Sequence, residues 1–292
     1  MSSTATQHPV FWFEDGSLSI QIESTIFKIH RTLLNRHSPF LSTNNDDLLK
    51  IDSSRGVSVR DFEILLEHLY HDNPLSPDSP FPRIASVLRV SAPGQLDFPK
   101  IHATATRYFI NLFPSGPAPF LHPAHLEEAF ALSTTLNITS VQKGLLYSLV
   151  TSTNFEMEEA NEAKVSDSTH QLPVSIDSPS DAHKRVLSSA DAQRCMRLMT
   201  HFIDHFTPIL FTPPATPHMA CTDVFADTWL KFVIQPALAD DGVYKPLETL
   251  ERLKGLDWAG AGLCSTCVVE KNAEWTEEQE VVWRSMDKWI QV

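Results

Sequence analysis

Hydrophobic and polar residues alternate with a period of two in short stretches near the start of the chain, between Val10 and Ile29. The stretches read VFWF, LSIQI and TIFKI, and they are separated by the turn-forming sequences EDGS and ES. Alternation broken by turn residues is typical of β-strands with one buried face. We therefore predict a short antiparallel meander over these residues.

Helical spacing of the apolar positions begins directly after the meander. The first helix, from His30 to His37, ends before Pro39, because the residue preceding a proline is pushed out of the helical region. The apolar run from Leu48 to Ile51 predicts one more strand, and Ser58 can cap a helix that ends near Tyr70. Further helices are predicted over residues 83–90, 100–113, 125–136, 141–152, 224–238, 247–254 and 276–290, and after the capping pair Ser188 and Asp191.

The predicted elements divide the chain into segments. The stretch from Asn154 to Lys184 is rich in Ser, Asp, Glu and Pro and poor in apolar residues, which predicts a disordered linker. The sequence therefore predicts an α+β protein whose C-terminal part is mostly α-helical. Its segments are a tail at 1–9, a first domain at 10–119, a helical extension at 120–153, the linker at 154–186 and a helical C-terminal region at 187–292.

A set of motifs stands in a fixed order in the first domain. They are Asp15-Gly16-Ser17, Phe27-Lys28-Ile29-His30 followed by Leu33-Leu34, His37-Ser38-Pro39-Phe40, and Phe62-x-x-Leu65-Leu66-x-x-Leu69-Tyr70. Over residues 10–113 this set resembles a BTB/POZ domain, specifically the kind expanded in mushroom-type (basidiomycete) fungi. The resemblance implies a short antiparallel sheet with helices, and its apolar positions are expected to share one core. It also implies protein binding through homo- or heterodimerisation and, in some members, binding of a cullin-type ubiquitin-ligase scaffold.

The chain departs from the BTB/POZ pattern at several points. After Phe40 the sequence LSTNNDD leads directly to the next predicted strand, so the element that usually contacts a cullin is shortened or missing. The long N-terminal helix that animal members exchange in dimers has no counterpart, and Pro93, Gly94 and Pro99 interrupt the later helix pair. We therefore predict weak or absent cullin binding.

Charge and composition narrow the function classes. The chain has 36 acidic and 23 basic residues and a net charge of -13, and its Lys/Arg runs do not exceed Lys184-Arg185, which disfavours nucleic-acid binding. The first residues lack a basic segment followed by an apolar one, and no apolar stretch approaches the ~18 residues of a membrane span. We therefore expect a protein of the cytoplasm, the nucleus or both, which is neither secreted nor bound to a membrane.

The cysteines offer the clearest candidate chemistry, and all of them lie in the last third of the chain, unlike the disulfide framework of a small secreted domain. Cys264-x-x-Cys267 and His218-x-x-Cys221 could together supply a structural zinc, because thiolate and imidazole ligands suit a tetrahedral zinc. The glycines within 260–262 would give the loop before the second pair a tight backbone. The alternative is that these residues are unligated, partly buried thiols.

Motifs of catalysis are missing from the sequence. With only 9 glycines, it contains neither GxGxxG nor GxxxxGK[ST], and His201-x-x-x-His205 lacks the Glu of a hydrolytic HExxH. The contexts of Cys195 and Cys221 do not resemble a nucleophile motif. We therefore predict a non-catalytic adaptor with no catalytic or cofactor-binding residues and no required cofactor, whose partners are proteins, including a second copy of the chain. The alternatives are a substrate receptor of a cullin-type ubiquitin ligase and, less favoured, an enzyme that uses the C-terminal Cys/His cluster.

Overall fold

The computed structural model describes residues 5–44, 46–122, 124–152 and 188–290. The predicted linker at 154–186 therefore lies outside the described residues. The chain divides into two compact units, Met1–Leu145 (unit 1) and Leu146–Val292 (unit 2). The border lies inside a helix of the predicted extension at 120–153.

A small sheet forms the start of unit 1, and within the described residues its strands stand in the order β1-β3-β2-β4. The strands are β1 (Thr6–Trp12), β2 (Leu18–Ile22), β3 (Thr25–Ile29) and β4 (Leu48–Ile51). Only β2 and β3 form an antiparallel hairpin, whereas β1 runs parallel to β3 and β4 runs parallel to β2. The predicted antiparallel meander is therefore wrong: the sheet is mixed. The first strand also begins at Thr6, inside the tail predicted at 1–9.

The connection from β1 to β2 explains the mixed sheet. Trp12 lies beside Lys28 at the end of β3, and the Phe13 N–H donates to the Lys28 carbonyl oxygen at 2.9 Å. The chain then crosses the end of β3 before Leu18 pairs with Ile29. Alternation shows which face of a strand is buried, but it does not show which strand lies beside it.

The helices of unit 1 follow the predicted spacing closely. They are α1 (Arg31–His37), α2 (Pro39–Ser42), α3 (Val59–Leu69), α4 (Phe81–Ser91), α5 (Pro99–Leu112) and α6 (Leu126–Thr135), while α7 (Thr139–Ser152) contains the border between the units. The Ser58 side chain accepts the Asp61 N–H at 3.0 Å, so the predicted cap of α3 is confirmed. Ser38 ends α1 and caps the single turn of α2 by accepting the Leu41 N–H.

The core of unit 1 lies between the sheet and these helices. The rings of Phe27 and Phe62 meet edge to face with centroids 4.9 Å apart, and both side chains are fully buried. Leu65 and Leu69 are buried as predicted, but Leu33 is only half-buried. The predicted core is therefore confirmed for most of its members and corrected at Leu33.

The segment between α4 and α5, residues 92–98, packs into the core of unit 1. The side chains of Leu96 and Phe98 are fully buried, and their N–H groups return to the carbonyl oxygens of Val90 and Ser91. Ser38 donates its hydroxyl to the Leu96 carbonyl oxygen at 2.6 Å. The proline and glycine residues at 93–99 therefore end one helix without opening the domain.

Unit 2 consists of helices and their connections, with no strand in its described part. Its elements after α7 are α8 (Ser189–Phe211), α9 (Met219–Trp229), a π-helical turn (Leu230–Ile234), α10 (Gln235–Ala239), α11 (Pro246–Gly255), α12 (Trp258–Ala261) and α13 (Ser265–Trp289). The cap predicted from Ser188 and Asp191 is confirmed, because the Ser188 side chain accepts the Asp191 N–H. The last helix begins at Ser265, well before the predicted start at residue 276.

Aromatic side chains form the core of unit 2. Trp229 and Trp258 stack with ring centroids 6.0 Å apart, and Phe225 meets Trp258 edge to face at 4.9 Å. The indole N–H groups of Trp229 and Trp258 donate to the carbonyl oxygens of Leu210 and Leu253, each at 2.8 Å. Buried indoles with their N–H groups satisfied fix the packing of neighbouring helices. Among the helices described, none has both the length and the apolar character needed to cross a membrane.

Candidate metal centre

The side chains predicted as metal ligands come together in unit 2. They are His218, Cys221, Cys264 and Cys267, and their ligand atoms all lie within 4.8 Å of one another. The predicted grouping of these residues is therefore confirmed. A group of this composition can hold a metal ion.

Two helix starts build the cluster. His218 is the N-cap of α9 and Cys221 is the third residue of that helix, while Cys264 is the N-cap of α13 and Cys267 is its third residue. The side chains of an N-cap and of the third helical residue lie on the same side of the first turn, as in a capping box. The two-residue spacing within each pair therefore brings its members together without help from the rest of the fold.

The turn before α13 orients the second pair. Gly262 has a φ of 114°, a region that favours glycine, and its N–H bonds back to the Ala259 carbonyl oxygen at 3.0 Å. The Leu263 N–H donates to the Trp258 carbonyl oxygen at 2.9 Å. Because Trp258 belongs to the aromatic core, the position of Cys264 is tied to that core.

The distances within the cluster fit one small ion. The Nδ1 atom of His218 lies 3.2 Å from the Cys264 sulfur and 3.4 Å from the Cys267 sulfur. The backbone N–H of Cys264 lies 3.5 Å from the Cys221 sulfur. A zinc ion with bonds of about 2.3 Å to sulfur and about 2.0 Å to nitrogen separates its ligand atoms by about 3.5–3.8 Å. The cluster therefore needs only small side-chain movements to close on an ion.

The two cysteines of α13 differ in environment. The Cys267 side chain is 1% exposed, and burial together with the neighbouring Cys264 raises its pKa to about 11. The Cys267 N–H and the His218 side chain instead lower the pKa of the half-buried Cys264 to about 6. The positive ends of two helix dipoles also point at the cluster, and they favour thiolates. Metal ligation requires thiolates, so this environment favours it at Cys264, whereas an ion would have to displace the proton of Cys267.

Residues around the cluster hold its histidine in place, and the sequence analysis missed them. The Thr216 hydroxyl donates to the His218 carbonyl oxygen at 2.8 Å, and the Thr216 N–H donates to the Thr222 hydroxyl at 3.0 Å. Thr216 also forms a hydrogen bond with Cys267 that lowers the pKa of that thiol. Such outer contacts orient metal ligands, but threonines in the sequence TPPATPHMACT carry no distinctive signal.

The other histidines and cysteine considered in the sequence lie apart from this cluster. His201 stacks on Trp289 with centroids 5.4 Å apart, and His205 pairs with Glu278 at 2.7 Å. Cys195 is buried on α8. In the part of the chain that the structure describes, the metal-ligand grouping consists of His218 and the cysteines of α9 and α13.

Comparison of the chain with protein-family models, with curated proteins and with solved structures gave no match. The resemblance to BTB/POZ domains therefore rests on the motifs of unit 1 and stays a prediction. The structure establishes the coarser statement, a mixed α+β architecture with a small sheet near the N-terminus and helices over most of the remainder.

Proposed function

We propose that this protein is a non-catalytic adaptor that binds other proteins through a BTB/POZ-like unit 1 and whose unit 2 is held by a structural zinc ion. The observation that carries the adaptor role is the order of elements in unit 1. Three strands precede α1, and β4 and α3 follow it. The BTB/POZ-like motifs of the sequence lie on or next to these elements in the same order.

The contacts of these elements support the same reading. Phe27 on β3 meets Phe62 on α3, and the Tyr70 hydroxyl contacts both the backbone N–H and the ring of His30. The motif residues therefore pack against one another, as members of a single domain would. Binding energy in such a domain comes from apolar patches presented by a rigid scaffold.

The composition of the metal cluster favours zinc in a structural role. Three thiols and one imidazole are soft and borderline ligands that suit tetrahedral zinc, and all four can reach one ion. A catalytic zinc keeps one position open for water, whereas four protein ligands close the site. The cluster therefore favours the adaptor over the alternative in which these residues serve an enzyme. If the enzyme alternative is correct, Cys221→Ala will abolish a hydrolytic activity of the purified protein.

The zinc is tested by elemental analysis of the purified full-length chain. We expect one zinc per chain in the wild type and loss of that zinc in Cys264→Ser/Cys267→Ser. Cys195→Ser is the matched control, because Cys195 is a buried cysteine outside the cluster, and it should keep its zinc. Substoichiometric zinc in the wild type and the control alike would instead identify the cluster as unligated thiols.

The adaptor role is tested by affinity purification of the tagged chain from its native cell, read by mass spectrometry, together with the mass of the purified chain in solution by light scattering. We expect stoichiometric protein partners, a dimer of the chain, or both. A cullin among the partners would favour the substrate-receptor alternative. A strictly monomeric chain that retains no partner would contradict the proposal.

A further inference from the structure

The CxxC pair at the start of α13 is asymmetric. Cys264 is the half-buried N-cap, with its sulfur beside the exposed His218. Cys267, one turn further on, is 1% exposed. The two sulfur atoms lie within 4.8 Å of each other. An accessible sulfur beside a shielded one is the arrangement in which an oxidised first thiol is resolved by its neighbour.

We propose that Cys264 and Cys267 form a reversible disulfide on exposure to a peroxide, and that this oxidation releases the zinc. The release rests on the zinc site proposed above, whereas the disulfide itself can form in the metal-free chain. Oxidation would then remove the zinc-mediated link between the starts of α9 and α13 in unit 2.

The reaction uses hydrogen peroxide as the oxidant and needs no further reactant. The Cys264 thiolate attacks one peroxide oxygen, the O–O bond breaks, and Cys264 becomes a sulfenic acid as hydroxide leaves. The Cys267 sulfur then attacks the Cys264 sulfur and the S–O bond breaks. The hydroxyl group leaves as water with the thiol proton. The hydroxide takes up the proton that Cys264 released on ionisation, so overall two thiols are oxidised to one disulfide and one peroxide is reduced to two waters.

The fold favours this pair over the other cysteines. Cys264 and Cys267 belong to one helical turn, so a bond between them requires no movement of α9. Cys221 belongs to α9, is 4% exposed and lies next to the Cys264 backbone N–H. Cys195 lies outside the grouping altogether. The disulfide would remove two of the four ligands, and the remaining His218 and Cys221 could not retain a structural zinc.

Peptide mapping identifies the bond directly. Chelator-treated full-length protein is exposed to hydrogen peroxide, blocked with an alkylating reagent and digested with trypsin without reduction. Residues 255–271 form one tryptic peptide that carries both Cys264 and Cys267, whereas Cys221 lies on a separate peptide, residues 198–231. We expect the first peptide to be unalkylated and lighter by two hydrogen atoms, and dithiothreitol to restore its thiols. A cross-link between the two peptides, or sulfinic acid at Cys264 as the main product, would overturn the proposal.

A second variant tests the order of steps. In metal-free Cys267→Ser the sulfenic acid of Cys264 has no resolving thiol on its helix, so dimedone should label it. The wild type and the Cys195→Ser control should show little label. Equal labelling of the wild type and Cys267→Ser would show that Cys267 does not resolve the sulfenic acid and would contradict the proposal.

A measurement of zinc release distinguishes failure of this inference from failure of the proposed zinc site. Zinc-loaded wild type and Cys195→Ser are treated with hydrogen peroxide in the presence of a chromogenic zinc indicator. We expect one zinc released per disulfide formed. If the purified chain holds no zinc, both the proposed zinc site and the proposed zinc release are wrong. The mass of the tryptic peptide still shows whether the disulfide forms. If zinc is bound and released without the disulfide, the redox inference alone is wrong.

Discussion

Gly16 lies where the connection from β1 to β2 crosses the end of β3. A Cβ atom at this position would stand 2.9 Å from the carbonyl carbon and oxygen of Lys28. Those atoms belong to a backbone that is already held in the sheet by pairing with β2. A side chain could therefore be accommodated only by a shift of the strand.

The first prediction is that Gly16→Ala destabilises unit 1 by about 1–3 kcal/mol, the usual cost of forcing an atom into a packed site. Gly116→Ala is the matched control, because a Cβ there would meet no atom within 4 Å. Its effect should stay within about 0.5 kcal/mol. Urea denaturation of the full chain, followed by a probe of unit 1, measures both values. Equal midpoints for the two variants would contradict the steric argument.

Tyr147 is a buried polar side chain in unit 2. Its hydroxyl donates to Glu248 Oε2 and accepts the Leu247 N–H at 3.1 Å. Burial and the Glu248 carboxylate raise the pKa of Tyr147 well above its usual value. The neutral hydroxyl is therefore part of the folded structure.

The second prediction is that Tyr147→Phe costs about 1–3 kcal/mol at neutral pH, because it leaves the buried Leu247 N–H without this partner. A raised folded-state pKa means that the stabilisation is complete below the unfolded pKa of about 10 and is lost as the pH rises through the folded pKa. The difference between wild type and variant should therefore shrink above about pH 10. Denaturation at neutral and alkaline pH measures the difference in free energy of unfolding between wild type and Tyr147→Phe. A difference that grows with pH would contradict a raised pKa of Tyr147 in the folded state.

At the scale of elements, local sequence predicted the starts of α3 and α8 from their capping residues, but it did not predict which helices pack together. The N-cap of α3 at Ser58 and that of α8 at Ser188 depend on a few adjacent residues, and both were predicted. The pairing of His218 with Cys221 and of Cys264 with Cys267 is equally local. The meeting of the two pairs depends on how α9 and α13 pack, which spacing along the chain does not encode.

The late predicted start of α13 has a physical cause in its buried face. Its buried positions include the polar residues Lys271 and Gln279, which interrupt the apolar stripe between Cys267 and Val282. Lys271 pairs with Glu274 at 2.6 Å, and Gln279 donates to the Leu247 carbonyl oxygen at 2.9 Å. Because these polar groups are satisfied by partners, they are tolerated in the core. An apolar pattern alone therefore detects only the later turns of the helix.

The third prediction concerns the first turns of α9 and α13. If zinc joins these two helix starts, a chelator should accelerate amide hydrogen exchange around Cys221 and Cys267, because metal binding contributes folding free energy at its ligands. Exchange in β2 and β3 of unit 1 should stay unchanged, which makes the sheet an internal control. Cys264→Ser/Cys267→Ser should show the faster exchange without chelator. Equal acceleration of amide exchange in both units would indicate global unfolding, and not local stabilisation by a metal ion.

At the scale of the whole molecule, the two units are stabilised by different means. Unit 1 combines a sheet with apolar helices and an ion-pair network, in which Arg89 on α4 bonds Asp61 on α3 and Glu128 on α6, each at 3.0 Å. Those contacts hold α6, which lies in the predicted extension at 120–153, to α3 and α4. Unit 2 combines an aromatic core with the grouping of His218, Cys221, Cys264 and Cys267, where we propose a zinc ion. The proposed partner binding and the proposed metal site therefore lie in different units.

The last prediction follows from the region after α1, which the BTB/POZ resemblance identifies as the place of cullin contact. Here α2 is a single turn, Pro39–Ser42, and only five residues, 43–47, separate it from β4. The Arg55 guanidinium lies over the Phe40 ring, 4.0 Å from the ring centroid, so one face of the ring is already occupied within the chain. Arg55 also donates to the Gln95 carbonyl oxygen of the α4–α5 connection. We therefore expect calorimetry with the full chain and a purified cullin to give a dissociation constant weaker than about 1 μM, which corresponds to less than about 8 kcal/mol of binding free energy. A BTB protein known to bind the same cullin serves as the positive control. A dissociation constant of about 1 μM or tighter would establish the cullin-receptor alternative in place of weak binding.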